Sequence, residues 1–200
     1  GAANLVRHID NMKNGFGLPV VVAINAFPTD TPAELALVER RCQELGVNVA
    51  LSEVWAKGGE GGLALAEEVV RLCEQPSELR FAYELGGIRE SVDAIARRVY
   101  HADGADFTPA AAKQVAQLEE QGFTNMPVCM AKTQYSFTDD AKRLGAPEHF
   151  RITVRSVKVA AGAGFIVALT GNIMTMPGLP RHPAAESIDV TDDGRITGLF

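Results

Sequence analysis

The 200 residues carry 46% hydrophobic and 22% charged side chains, the balance of an ordinary globular chain, which excludes bulk disorder. Nineteen Lys and Arg against 25 Asp and Glu leave a formal charge of −6, and no basic run interrupts it. The electrostatic footprint of a nucleic-acid binder is therefore missing, and the longest apolar stretches (20–27 and 160–169) fall short of the ~20 residues that span a bilayer. Cys42, Cys73 and Cys129 are isolated and fit neither a disulfide framework nor a zinc spacing, a usage expected of the reducing cytoplasm. The opening GAANLVRHID shows no signal-peptide pattern and no initiator Met, so a piece of something longer is expected.

In chain order, residues 3–13 read as a helix that ends before Gly15-Phe16-Gly17. PVVVAIN (19–25) is a β-branched run of the kind found in a parallel strand buried on both faces. Thr31-Pro32-Ala33-Glu34 is a capping box with Pro at the first helical position. Leu35, Val38, Cys42 and Leu45 follow at helical spacing, Gly46 supplies the stop, and VNVAL (47–51) is a second buried strand. The glycine cluster Gly58-Gly59-Glu60-Gly61-Gly62 then opens a helix with Leu63, Ala66, Val70 and Cys73 on one face. This α-β-α-β-α order predicts an α/β fold with parallel, Rossmann-like βα units.

After Gln75-Pro76-Ser77 the pattern changes, and a division into 1–75 and 76–200, packed together, is expected. Ile88, Val92, Ile95 and Val99 mark a helix, and Thr108-Pro109 begins another that Gly122 ends. Strands are predicted at 127–131, 150–161 and 164–170, with Gly162 and Gly164 at the bend between the last two. Residues 187–200 read as a hairpin turning at Asp193-Gly194, and Met174 and Met176 as core filling. The second half is thus mixed α+β.

In open α/β sheets ligands bind outside the carboxyl ends of the strands, which selects the loops 24–30 and 52–62. Each holds one aromatic residue in a chain with only 6% of them: Phe27 and Trp55, the single Trp. Strands about 4.8 Å apart that end at one edge can set two rings around a flat heteroaromatic guest, with Asp30 and Glu53 beside them. The alternative is a Trp55 that simply anchors its loop in the core.

The glycine cluster offers an anion nest at a helix start through Gly58, Gly59 and Gly61, or a plain turn. KTQYSFTDD (132–140) offers Lys132, Gln134 and Tyr135 for phosphate or substrate contacts, or a self-bonded polar loop. Neither G-x-G-x-x-G nor a G-x-x-x-x-G-K-[ST] phosphate loop occurs, there is no G-x-S-x-G elbow, and the four histidines lack metal-ligand spacing.

VVVAINAFPTDTPAEL, ALSEVWAKGGEGG, NMPVCMAKTQYSFTDD, FRITVRSVKVAAGAGFIVALTGNIMTMPGLP and DDGRITGLF together resemble formate–tetrahydrofolate ligase over residues 3–200. The resemblance is to the carboxyl-terminal third or so of that family. It implies a cytoplasmic, ATP-dependent parent enzyme that makes 10-formyltetrahydrofolate through formyl phosphate, with magnesium and a monovalent cation as candidate cofactors. Tetrahydrofolate, the amino-terminal portion of the enzyme and further copies of the parent are the implied partners; nucleic acid and membrane are not. It further implies that Phe27 and Trp55 flank the pterin ring, with Pro28, Asp30 and Glu53 around them, that no catalytic or metal-binding residue lies in this portion, and that the portion alone binds no cofactor and is inactive. The competing expectation is a non-catalytic assembly module of the same fold.

Overall fold

The computed structural model describes residues 1–171, 173 and 181–198; Met174 and Met176, expected to fill core space, lie outside them. Helix α1 (Ala2–Asp10) continues into a π-turn over Asn11–Gly15. Strand β1 (Val21–Asn25), helix α2 (Pro32–Glu44) and strand β2 (Asn48–Ser52) form a βαβ unit whose strands pair in parallel, Val22 opposite Val49 and Asn25 opposite Ser52.

The crossover helix starts where its sequence directs. Thr31 Oγ1 accepts from the Glu34 amide at 3.3 Å, and the Glu34 carboxylate accepts from the Thr31 amide at 2.9 Å. Such a cap stabilises a helix by about 1 kcal/mol. Gly46, at φ +65°, ends the turn that follows. Ile9, Val22, Cys42 and Val47 then close a small core between α1, α2 and one face of the strands.

Two expectations need correction. β1 and β2 are not buried on both faces: Val22 and Ala50 are buried, but Ala23 is exposed and Leu51 is 39% exposed. The reason is that this sheet has only two strands among the described residues, so its edges and part of its surface have no cover. Helix α4 (Leu63–Cys73) does carry Leu63, Ala66, Val70 and Cys73 on one side, but that side faces out, with Leu63 59% and Val70 62% exposed. Leu65, Glu68 and Leu72 are the better-buried positions, and the Glu68 carboxylate accepts from Asn48 Nδ2 of β2 at 2.7 Å. Hydrogen bonds from Arg71 and Asn48 hold the Glu68 carboxyl down at about 2. Apolar residues surround this helix on two sides, so periodicity alone cannot choose the inner one; the bond to Asn48 does.

The second half is a four-stranded mixed sheet under two helices. Helix α5 (Ile88–Arg98), strand β3 (Ala105–Phe107), helix α6 (Pro109–Glu120) and strands β4 (Val128–Ala131), β5 (Ile152–Ala160) and β6 (Phe165–Thr170) follow in order. The strand order is β3-β5-β6-β4, antiparallel between β5 and β6 and parallel at both outer pairs. Ile88 and Val92 of α5 and Ala111 and Val115 of α6 pack on Val154, Val157, Ile166 and Ala168, all buried. A short antiparallel hairpin, β7 (Asp189–Val190) with β8 (Ile196–Thr197), turns at Gly194 with φ +78°.

The two sheets communicate through α1 and the stretch after α4. Asn11, 6% exposed, donates from Nδ2 to Val99 O at 2.7 Å, and its Oδ1 meets His101 Nε2 at 2.9 Å. The His8 ring lies 4.7 Å from that of Phe137. Gly17, at φ +70°, accepts from the Glu78 amide at 3.2 Å, and a Cβ there would stand 2.2 Å from Glu78 O.

Gly17→Ala is expected to lower stability by about 1–3 kcal/mol through backbone strain and this clash. An unchanged urea midpoint would contradict the close approach. Val70→Lys, on the outward face of α4, is expected to change the unfolding free energy by no more than ~0.5 kcal/mol while reducing binding of an apolar dye. A large loss of stability would place Val70 inside.

Candidate functional site

Parallel pairing brings both strands out at one edge, and the chain continues differently from each. After β1, Ala26 adds one more rung, its amide donating to Ser52 O at 3.0 Å. Phe27 then opens a tight turn through Pro28 and Thr29. The Phe27 amide donates to Asp30 Oδ2 at 2.8 Å, and the Asp30 amide donates back to Phe27 O at 3.0 Å. Pro28 pre-sets the first turn dihedral, and Asp30 closes it, so the Phe27 backbone is held by two bonds rather than by burial.

After β2 the chain makes one helical turn, α3 (Val54–Lys57), where a loop was expected. Glu53 begins it and pairs with Lys57 at 2.5 Å, four residues on. Trp55 sits on this turn and donates from Nε1 to Ala26 O at 2.6 Å. Gly61 lets the following 3-10 turn, Gly58–Gly62, close onto Glu53: the Glu53 amide donates to Gly61 O at 3.0 Å, and a Cβ on Gly61 would stand 2.5 Å from Glu53 O.

The result is a pair of nearly parallel rings, with Phe27 and Trp55 centroids 6.5 Å apart and planes at 17°. Both are more than half exposed, at 55% and 57%. Trp55 is therefore not a buried loop anchor; it is tied by its indole N–H alone. A flat ring slipped between two others needs about twice the carbon contact distance, roughly 7 Å. The centroid separation of the pair is close to that span.

Asp30 and Glu53 do lie at this edge, but each is partly committed, Asp30 to the Phe27 amide and Glu53 to Lys57. Gly58, Gly59 and Gly61 form the turn that follows Trp55; Gly62 is the N-cap of α4 and gives it no side-chain cap. Lys132, Gln134 and Tyr135 are elsewhere, on a separate cavity of about 940 Å³ beyond the carboxyl ends of β4 and β6. There Lys132 turns inward, donating to the Thr133 and Ser136 carbonyls and lying 5.2 Å from the Tyr100 ring centroid. Burial pushes its ammonium below the usual lysine range, opposed by the nearby Asp139. Tyr135, 59% exposed, and the cations Lys142 and Arg155 line the same cavity.

Three participants escaped the sequence reading. The Ala26 carbonyl that holds Trp55 carries no side-chain signal at all. Lys57 was legible as an i,i+4 partner of Glu53 once a helical turn is placed there. Arg155 sits in a strand and reaches the second cavity only through the fold.

A family model described as formate–tetrahydrofolate ligase matches residues 1–200. A curated formate–tetrahydrofolate ligase of Symbiobacterium thermophilum is 56% identical over 201 residues, covering all of this chain and 36% of that relative. The chain thus spans little more than a third of the length of the relative it matches. With the match running from its first residue to its last, the chain belongs to the formate–tetrahydrofolate ligase family.

Proposed function

We propose that this chain is the tetrahydrofolate-seating, carboxyl-terminal part of an ATP-dependent ligase that makes 10-formyltetrahydrofolate from formate. The parallel, exposed Phe27–Trp55 pair, anchored at one sheet edge, carries this reading. The pterin bicycle is flat, and the span between the two rings suits one such thickness. Stacking on two rigid side chains supplies contact area at little cost in rotamer entropy. Beside the rings, the free Asp30 oxygen or the Glu53 carboxylate accepts from the amide and amine edge of the pterin.

The chemistry explains why such a clamp matters. Formate is a poor electrophile, and transfer of a phosphoryl group from ATP makes it formyl phosphate, a mixed anhydride. The N10 lone pair of tetrahydrofolate then attacks the formyl carbon, phosphate departs with the C–O bonding pair, and N10 loses its proton. Holding N10 about 3 Å from that carbon removes much of the entropic barrier. This chain positions the nucleophile. The electrophile is made by an amino-terminal portion that carries ATP, magnesium and any monovalent cation, in a cytoplasmic parent that assembles from several copies. Anionic groups of the reactants have Gly58, Gly59 and Gly61 behind Trp55, and Gln134, Tyr135 and Lys132 on the second cavity, as candidate seats.

One observation favours the alternative, a non-catalytic assembly module: the bare apolar side of α4. A titration of Trp55 fluorescence with tetrahydrofolate separates the two. Saturable quenching supports the clamp; no change at any concentration favours assembly alone. Trp55→Ala is expected to remove ~1–3 kcal/mol of folate binding, by analogy with base–aromatic stacking, and retained affinity in that variant would refute the sandwich. The 200 residues alone are expected to give no ATP- and formate-dependent product beside an active full-length control. Phosphoryl transfer needs a phosphate cradle, a lysine and a bound metal ion, and no motif here encodes them. Turnover by the chain itself would overturn this division of labour.

A further inference from the structure

A third cavity, of about 420 Å³, lies at the other end of β1 from the aromatic pair, since Phe16 on its wall precedes that strand and Phe27 follows it. Arg80, Arg97, Arg98 and His101 line it together with Phe16 and Phe81, and no described carboxylate does. That concentration of cations stands out in a chain whose formal charge is −6.

Each guanidinium is oriented by one hydrogen bond. Arg98 Nη1 donates to Ala82 O at 2.7 Å, Arg80 Nη2 to Asn14 O at 3.1 Å, and Arg97 Nε to Asp93 Oδ2 at 2.6 Å. A guanidinium has five N–H donors, so each keeps several free in a fixed orientation. His101 joins them from a left-handed backbone, φ +59°, with its ring held by the buried Asn11. Backbone of that kind concentrates at ligand sites when surrounding contacts enforce it. Among the described residues Arg97 pairs with Asp93 and Asp10 lies near His101, whereas Arg80 and Arg98 are held by neutral carbonyls, and their like charges repel across the cavity until an anion enters. Phe81, 80% exposed at the mouth, gives an organic group something to cover.

We propose that this cavity binds a phosphate-bearing small molecule. Its phosphate is held by Arg80, Arg97 and Arg98, and its organic part lies against Phe16 and Phe81. Phosphate matches two or three guanidinium forks better than a single carboxylate does, because it offers more oxygens and a second charge. The site is separate from the folate clamp and does not depend on it.

Inorganic phosphate is the probe for the head group. It is titrated into the 200-residue chain at constant ionic strength, with chloride exchanged for phosphate, and followed by calorimetry and ³¹P line width. Saturable binding is expected. Arg97→Gln, which disturbs no backbone contact, should weaken it roughly tenfold, and Arg80→Gln with Arg97→Gln should abolish it. Because Arg80 also braces the Asn14 carbonyl, each variant is first checked for a native Trp55 emission spectrum, and Arg97→Lys, which retains the charge but not the fork, should fall between wild type and Arg97→Gln. No binding beyond the chloride-matched control, or binding left unchanged by Arg97→Gln, overturns the proposal.

Discussion

The parallel pairing of β1 with β2 is the constraint on which the site depends. Asn25 and Ser52 are register partners, so the two strands end at the same level. Strands paired in this way lie about 4.8 Å apart, and the chain leaves both at one edge. Phe27 is two residues past the end of β1, and Trp55 three past the end of β2. An antiparallel pair of five-residue strands would send the two exits to opposite ends, about 17 Å apart. Nothing in the loops themselves could then bring the rings together.

Within that frame, three local bonds turn proximity into a clamp. The indole N–H on Ala26 O fixes Trp55 to the partner strand, and the Phe27–Asp30 pair of bonds closes the opposite turn. Each contributes about 1 kcal/mol net, less where exposed. Their larger effect is on order before binding. An exposed aromatic ring normally samples several rotamers, and fixing one beforehand removes that cost from the binding step. Gly61 belongs to the same device, because only a bare Cα allows its turn to brace Glu53 at the base of α3.

How far the sequence discloses this depends on the distance over which each feature is decided. The capping box at Thr31, the stop at Gly46 and the Gly194 turn are local chemistry, and they form where their residues stand. The aromatic pair was legible because one rule about parallel sheets, applied to two loops, selected the two rings. Three features were not legible. β3 has only three residues, too few for a periodic signal, and exists through its pairing with β5. The exposed side of α4 is as apolar as its inner side, so Asn48 on a strand decides its rotation. The inward turn of Lys132 combines two local bonds, to the Thr133 and Ser136 carbonyls, with an approach to the Tyr100 ring more than thirty residues away. For β3 and α4 a long-range partner chose between local options of similar energy.

The ring pair is braced from below by a chain of packed and hydrogen-bonded residues. Phe27 is carried by β1, whose Val22 packs with Ile9 of α1. Two residues beyond Ile9, the buried Asn11 amide bonds Val99 O at the end of α5, while its oxygen meets His101. A buried amide satisfied at both ends resists displacement, because moving it would leave two donors and two acceptors unpaired at about 1–3 kcal/mol each. The two-stranded sheet, too small to be rigid alone, is therefore braced against the helix that covers the four-stranded one. The role proposed for this chain, holding a nucleophile within about 3 Å of a short-lived electrophile, requires a support that does not yield. Here the support runs from the rings through one strand and one helix to a buried asparagine, and from there into the larger core.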